Sequence, residues 1–248
     1  MPDLATLTFQ GRIARLGINR PDKRNALSLD VLDALRGRVA EVAARDDVSV
    51  CILTGEGPTF CAGMDLKAVL NEPGAPLRLL ASIAELTIGL RSMPQVTLAR
   101  VNGAAIGGGC GLACVCDMAI THPDSKMGFP EVDLGVCPAV VAPWLVGRVG
   151  AGQARRILLQ GGTMTGLRAF EMGMISHCVP VEELDKKTAE LAEHLATAGP
   201  QALRATKNLL NEIDGPRLFE LVRKGAVLSA QVVEGAEARS MLAKKLGA

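Results

Sequence analysis

The chain has 248 residues, with 27 basic and 26 acidic side chains, five Phe, one Trp and no Tyr. This length suits one large domain, or a core domain with a helical tail, and the core must be built from Ala, Val, Leu, Ile and Met. Near-balanced charge, no long basic run and almost no aromatic platform give no support to a nucleic-acid groove or an anionic-membrane surface.

The opening "MPDLATLTFQ" has no basic region followed by an apolar stretch, so it does not read as a signal peptide. No run of about 18 apolar residues occurs, and no membrane span is expected. Seven cysteines, an odd number in a large chain, suit reduced thiols and a cytoplasmic setting better than a disulfide framework.

In chain order, "TLTFQGRIARLGIN" alternates about Gly11 and predicts a β-hairpin. Ser28 is a plausible N-cap, with Asp30 in the first turn, for a helix running to about Ala44. "VSVCILTG" predicts a buried strand, and "TFCAGMDL" a loop that feeds a short helix. "NEPGAP", residues 71–76, is the segment expected to be most mobile. Leu77 to Arg91 has helical spacing, and "QVTLARV" is a strand followed by three glycines and a helix to about Cys116. "DMAITH" and "SKMGF" predict short strands, "CPAVVAPWLVGRVG" and "GQARRILLQ" helices, "TGLRAFEMG" a short helix and "ISHCVP" a strand. From Val181 three amphipathic helical patterns follow one another. The layout is thus an α/β core over 1–180 and a helical region over 181–248, whose surplus apolar faces suit oligomerisation.

Gly107, Gly108 and Gly109 stand before an apolar helix. Glycine there lets a ligand approach the backbone, and the first N–H groups of a helix lack internal partners and lie at the positive end of its dipole. The phosphate-loop pattern ending in Gly-Lys-Ser/Thr is absent, and the dinucleotide pattern started from Gly107 fails at Leu112. The glycines could equally serve tight helix–strand packing. A second small-residue turn, Ala62-Gly63, also follows a strand and precedes a short helix. Two such turns could each aim one N–H at a single oxygen, forming an oxyanion hole.

Together, "INRPDKRNALS", "FCAGMDLK", "VNGAAIGGGCGLACVCDMAI" and "MGFPEVDLGVCPAVVAPWL" resemble the successive signatures of the crotonase, or enoyl-CoA hydratase/isomerase, superfamily, from about Leu7 to Pro180. The resemblance implies a spiral of ββα units with a C-terminal helical trimerisation region, and a homotrimer or dimer of trimers. It implies an acyl-CoA thioester as substrate, CoA being part of that substrate, with no separate cofactor and no metal. By motif position it places the two oxyanion donors at the N–H groups of Met64 and Gly108.

It also places an acid/base carboxylate at Glu131, which follows Pro130 and so begins a turn. Gly111 occupies the position where typical hydratases carry a second glutamate. Double-bond isomerases of the family work with a single Glu at the position of Glu131, while "EVDLGVCPAVVAPWLVGRVG" is similar to a hydratase branch that carries glycine there. Hydration of a 2-enoyl-CoA is therefore the first reading, double-bond isomerisation the second, and an acyl-CoA binder without turnover the third. Asp133 is the nearest other acid, but in an extended segment it would point away from Glu131. For the CoA end the resemblance nominates backbone at Ala26 and from Ala62 through Asp65 and Leu66, with Lys23, Arg24 and Lys67 for phosphate. More loosely, it nominates Leu242 and Lys245 as reaching a neighbouring subunit's CoA. Cys110 and Cys114 share a helix face, but buried small hydrophobes explain them better than metal ligands do. Cys137 could line the acyl pocket, and the "PAVVAPWL" helix, with Trp144, either shapes that pocket or packs.

Overall fold

The computed structural model describes residues 3–66, 74–215 and 217–246. Gly11 adopts φ +55° and turns β1 (Ala5–Gln10) into β2 (Ile13–Ile18), paired antiparallel with Ala5 opposite Ile18. The Ser28 hydroxyl caps α1 (Leu29–Ala43) by accepting from Val31 N–H at 3.4 Å. There follow β3 (Val50–Gly55), α2 (Ala75–Ser92), β4 (Val96–Arg100), β5 (Ala105–Ile106), α3 (Gly108–Val115), β6 (Met118–Thr121) and β7 (Lys126–Gly128). Next come α4 (Ala142–Gln160), β8 (Thr163–Thr165), α5 (Gly166–Glu171) and β9 (His177–Cys178). The C-terminal region holds α6 (Leu184–Thr197), α7 (Pro200–Asp214), α8 (Arg217–Glu234) and α9 (Ala236–Leu246).

Six strands form one sheet in the order β1-β2-β3-β4-β6-β9, parallel beyond the first pair. Both faces of a parallel sheet must be covered, and the period of two along each strand sorts residues between them. Val50, Leu98 and Ile120 turn to the face on which α6 lays Leu184 and Ala192. Cys51, Leu53 and Ala99 turn to the main core, where Leu35 of α1 and Ile83 and Leu86 of α2 pack. Burying each leucine or isoleucine contributes roughly 1.5–3 kcal/mol. A smaller sheet, β5-β7-β8, stands beside the first, and single bridges from Leu27 to Met64 and from Cys61 to Ala105 extend its pairing.

Some boundaries differ from expectation. Helix α4 starts at Ala142 rather than Cys137, because Pro138 disfavours helix in the residue before it, while Pro143 fits the first turn. The two helices expected over this region adjoin at Gly150, whose φ of +77° breaks the helical path. Ala75 and Pro76, expected to be mobile, are buried in the first turn of α2, while 71–73 lie outside the described residues. The short helix expected after Leu66 and the candidate Lys67 also lie outside them. No helix among the described residues is long and apolar enough to cross a membrane.

Candidate active site

Backbone pairing brings the two glycine turns together. Cys61 N–H donates to Ala104 O and Ile106 N–H to Cys61 O, each at 3.0 Å, so 61–63 runs alongside 104–106. Leu27 N–H donates to Gly63 O (2.8 Å) and Asp65 N–H to Leu27 O (3.0 Å). These bonds engage the neighbours of Met64 and leave its own N–H without an acceptor among the described residues. Gly108 opens α3, so its N–H has no partner inside the helix either. The turns touch: a Cβ on Gly63 would stand 3.5 Å from Gly108 N and 2.6 Å from Ile106 O.

The three consecutive glycines prove to have three different reasons. Gly107 holds φ +54°, and a Cβ there would lie 2.9 Å from Glu131 Oε1, so its bare backbone seats the carboxyl group. Gly109 is pressed on the backbone of Cys61, where a Cβ would come within 2.2 Å of the carbonyl oxygen. Gly108 is not crowded: a Cβ would meet only Leu27 and Ile83 side chains at 3.6 and 4.0 Å. The far end of α3 is tied down by Arg148, whose guanidinium donates to Cys114 O at 2.9 Å. Neither the seat at Gly107 nor the clamp at Arg148 has a sequence signature of its own, because both depend on residues distant in the chain.

Glu131 precedes a 3-10 turn at Val132–Leu134, and its carbonyl accepts from Leu134 N–H (3.0 Å) and Val136 N–H (2.9 Å). The turn closes on Gly135 at φ +67°. The Glu131 Oε2 atom is buried without a hydrogen-bond partner. Burial disfavours the charged form and, helped by the negative charge of Asp133, pushes the carboxyl up to about 7. Asp133 itself stays outside the site. The segment is turned rather than extended, and Asp133 Oδ2 accepts from Gly162 N–H at 2.7 Å.

A cavity of about 140 Å³ joins these parts. Met64, Gly108 and Glu131 all line it, as do Ala62 and Leu66. Cys137 lines it as well; burial and the nearby Glu131 push its thiol up, away from the reactive thiolate. Gly111 does not reach the cavity. A Cβ on it would lie 2.4 Å from Val141 Cγ1, so valine fills the room beside it. Val140 and Val141, in the "PAVVAPWL" stretch expected to shape the pocket or pack, are wall residues, whereas Trp144 of the same stretch packs near Phe219 with ring centroids 6.1 Å apart.

The remaining candidates form an outer strip. Lys23 and Arg24 are exposed beside the bridged segment, and Arg24 O accepts from Ala62 N–H at 3.0 Å. Arg24 and Asn25 both take left-handed φ, and buried Asn25 holds that bend by donating to Glu56 O (3.0 Å) and Thr59 O (2.7 Å). Asp65 is ion-paired with Arg20 at 2.8 Å, and the same guanidinium reaches Ala26 O at 3.3 Å, so Asp65 braces the strip. Leu242 is fully buried in this chain's own core, which corrects its assignment to a neighbour's ligand; its helix α9 packs against Gly135. Lys245 is exposed. Among the described residues no group of three or more His, Cys, Asp or Glu is placed to hold a metal ion.

The sequence profile of the enoyl-CoA hydratase/isomerase family matches residues 8–239. The chain belongs to that family. It is 33% identical over 209 residues to the crotonyl-CoA hydratase of Syntrophomonas wolfei, covering 83% of this chain and 80% of that protein. It is 32% identical over 204 residues to the 2,3-dehydroadipyl-CoA hydratase of Escherichia coli, covering 82% of this chain and 80% of that one. The crystal structure of an enoyl-CoA hydratase from Bacillus halodurans superposes with a TM-score of 0.91 over 97% of this chain and 99% of that chain. At 20% identity that likeness bears on the fold alone. The fold is thus the crotonase fold, and the chain is an enzyme of the hydratase/isomerase family.

Proposed function

We propose that the protein adds water across the double bond of a 2-enoyl-CoA, with Glu131 as its single acid/base and the Met64 and Gly108 amides as oxyanion donors. The observation that carries this reading is the convergence on one cavity of two free amides and a desolvated carboxyl poised near neutrality. The thioester carbonyl oxygen would sit between the two amides. Glu131 takes a proton from water, the oxygen of that water bonds to the β-carbon, and the π electrons move onto the thioester oxygen as an enolate. Glu131 then returns the proton to the α-carbon as the carbonyl re-forms, leaving a 3-hydroxyacyl-CoA. Each amide is worth roughly 3 kcal/mol at the enolate-like transition state. Proton transfer and two fixed dipoles suffice for these steps, which supports a reaction without a cofactor beyond the CoA of the substrate.

A second reading is migration of the double bond, in which Glu131 removes an α-proton and returns it at the γ-carbon. The valine-filled space beside Gly111 favours it, since no second acid lines the cavity among the described residues. A carboxyl tuned to about 7 supports turnover over binding alone.

For the CoA end we propose backbone contacts along Ala26 and Ala62–Leu66, and phosphate contacts from Lys23, Arg24 and Lys67. We propose a homotrimer or a dimer of trimers, supported by exposed Leu209, Leu210 and Ile213 on α7 and Leu221, Val227 and Leu228 on α8. Seven free thiols support a cytoplasmic setting.

The test is Glu131→Gln assayed with crotonyl-CoA and with a 3-enoyl-CoA. Wild type should bleach the conjugated thioester absorbance of the first or create it from the second. The variant should do neither, at least 100-fold down, while still binding the thioester. Undiminished turnover in the variant assigns the chemistry to another group.

A further inference from the structure

We propose that Val141, wedged against Gly111, limits the water that reaches the acid and thereby sets the balance between water addition and double-bond migration. The inference rests on the acyl-CoA reading above and adds to it a residue that decides the outcome.

The argument starts from what a water molecule needs. An ordered water in a buried site requires about two to four polar partners. Among the described residues that line the cavity, only Glu131, Cys137 and Ser229 carry polar side chains. The Ser229 hydroxyl is already committed, donating to Cys137 O at 2.6 Å and accepting from Ala139 N–H at 3.2 Å. The Cys137 thiol is a weak hydrogen-bonding group. The Met64 and Gly108 amides face the thioester oxygen. Among the side chains of the cavity, a water beside Glu131 therefore has one strong partner, the carboxyl itself.

Val141 is placed to enforce this. It is 4% exposed, lines the cavity, and holds one methyl 2.4 Å from where a Cβ on Gly111 would stand. It fills the space behind the cavity wall that Gly111 of α3 would otherwise leave open. Its surroundings hold it still. The loop carrying it is pinned to α8 by Ser229 and by Gly225, whose missing Cβ lets Ala139 O approach the 2.2 Å point. The more completely water is kept from Glu131, the more its proton passes from carbon to carbon instead of water being added, so the room that Val141 leaves sets the balance between the two outcomes.

Two variants test this. Val141→Thr keeps the shape and adds a hydroxyl. The backbone at Val141 (φ −91°, ψ −21°) is helical, not the extended form of a capping residue, so that hydroxyl does not cap α4, and even when it donates to a carbonyl one turn back its oxygen still accepts from water. Val141→Ala opens a void at the same place. Hydration of crotonyl-CoA and isomerisation of a 3-enoyl-CoA are measured on the same preparations, so that any loss of folded protein cancels in their ratio. The ratio of hydration to isomerisation should rise about tenfold in Val141→Thr, the effect of one added hydrogen bond. In Val141→Ala the acid limb of the kcat/KM pH profile should move to lower pH as water re-solvates Glu131. An active wild type whose ratio and pH profile are both unchanged in the variants overturns the role of Val141 alone. A wild type that converts neither thioester overturns the acyl-CoA reading and this inference with it.

Discussion

Gly108 and Gly109 are adjacent glycines whose replacement should fail in different ways. A side chain at Gly108 meets only ordinary contacts, whereas one at Gly109 runs into the backbone of Cys61. Gly108→Val should therefore stay folded, with a melting temperature near wild type, yet lose turnover because its side chain intrudes on the cavity. Gly109→Ala should be destabilised by about 1–3 kcal/mol, because backbone must move to admit the methyl group. Thermal melts beside an activity assay separate the two, and a Gly108→Val protein with normal turnover removes that amide from the site. Glu131 shows the same dependence on neighbours. Its carboxyl is unusual because Gly107 seats it and apolar residues surround it, so kcat/KM should rise with pH through about 7 as the base form appears.

At the level of elements, the helix that presents Gly108 is held from both ends. Pairing of 61–63 with 104–106 fixes its start, and Arg148 binds its last carbonyls. Below it, Asp117 at the edge of β6 accepts from Thr97 N–H at 2.7 Å and from Lys207 Nζ of α7 at 2.8 Å. Lys207 is 4% exposed and also donates to Gln95 O at 2.7 Å, so a charged pair docks α7 onto the strand ends. Removing one partner of a buried pair leaves the other charge without its counter-ion. Lys207→Met should lower stability by about 3 kcal/mol in urea unfolding. A loss below 1 kcal/mol would mean that Arg91, 3.7 Å from Asp117, carries the charge balance by itself.

For the whole molecule, a carboxyl kept neutral in the folded chain couples catalysis to stability. The Glu131 side chain holds its proton to about pH 7 when folded, against 4.5 for the ordinary group. Between those values the folded state binds more protons than the unfolded one, so this group's contribution weakens as pH rises through the window. Above it, wild type should be less stable than Glu131→Gln by about 3 kcal/mol, and the two should converge near pH 4. Urea midpoints at low and high pH check the sign. Equal slopes for the two proteins would show that the folded carboxyl titrates as an ordinary one. The exposed apolar residues of α7 and α8 set a second whole-molecule expectation, a mass in solution near three or six chains, measured by light scattering.

Much of this was legible in residue order. The hairpin at Gly11, the cap at Ser28, the α/β alternation and the late run of helices follow from periodicity and turn chemistry, which act over a few residues. Four ordered motifs pointed to the family and, through it, to Met64, Gly108 and Glu131. What sequence order left open is which atoms meet. That Val141 fills the space of Gly111, that Gly107 seats Glu131, that Asp133 turns to Gly162, and that Leu242 belongs to its own core are contacts between segments tens of residues apart. Local propensity carries no information about such contacts; close packing of the finished fold decides them, and with them the acid's affinity for its proton.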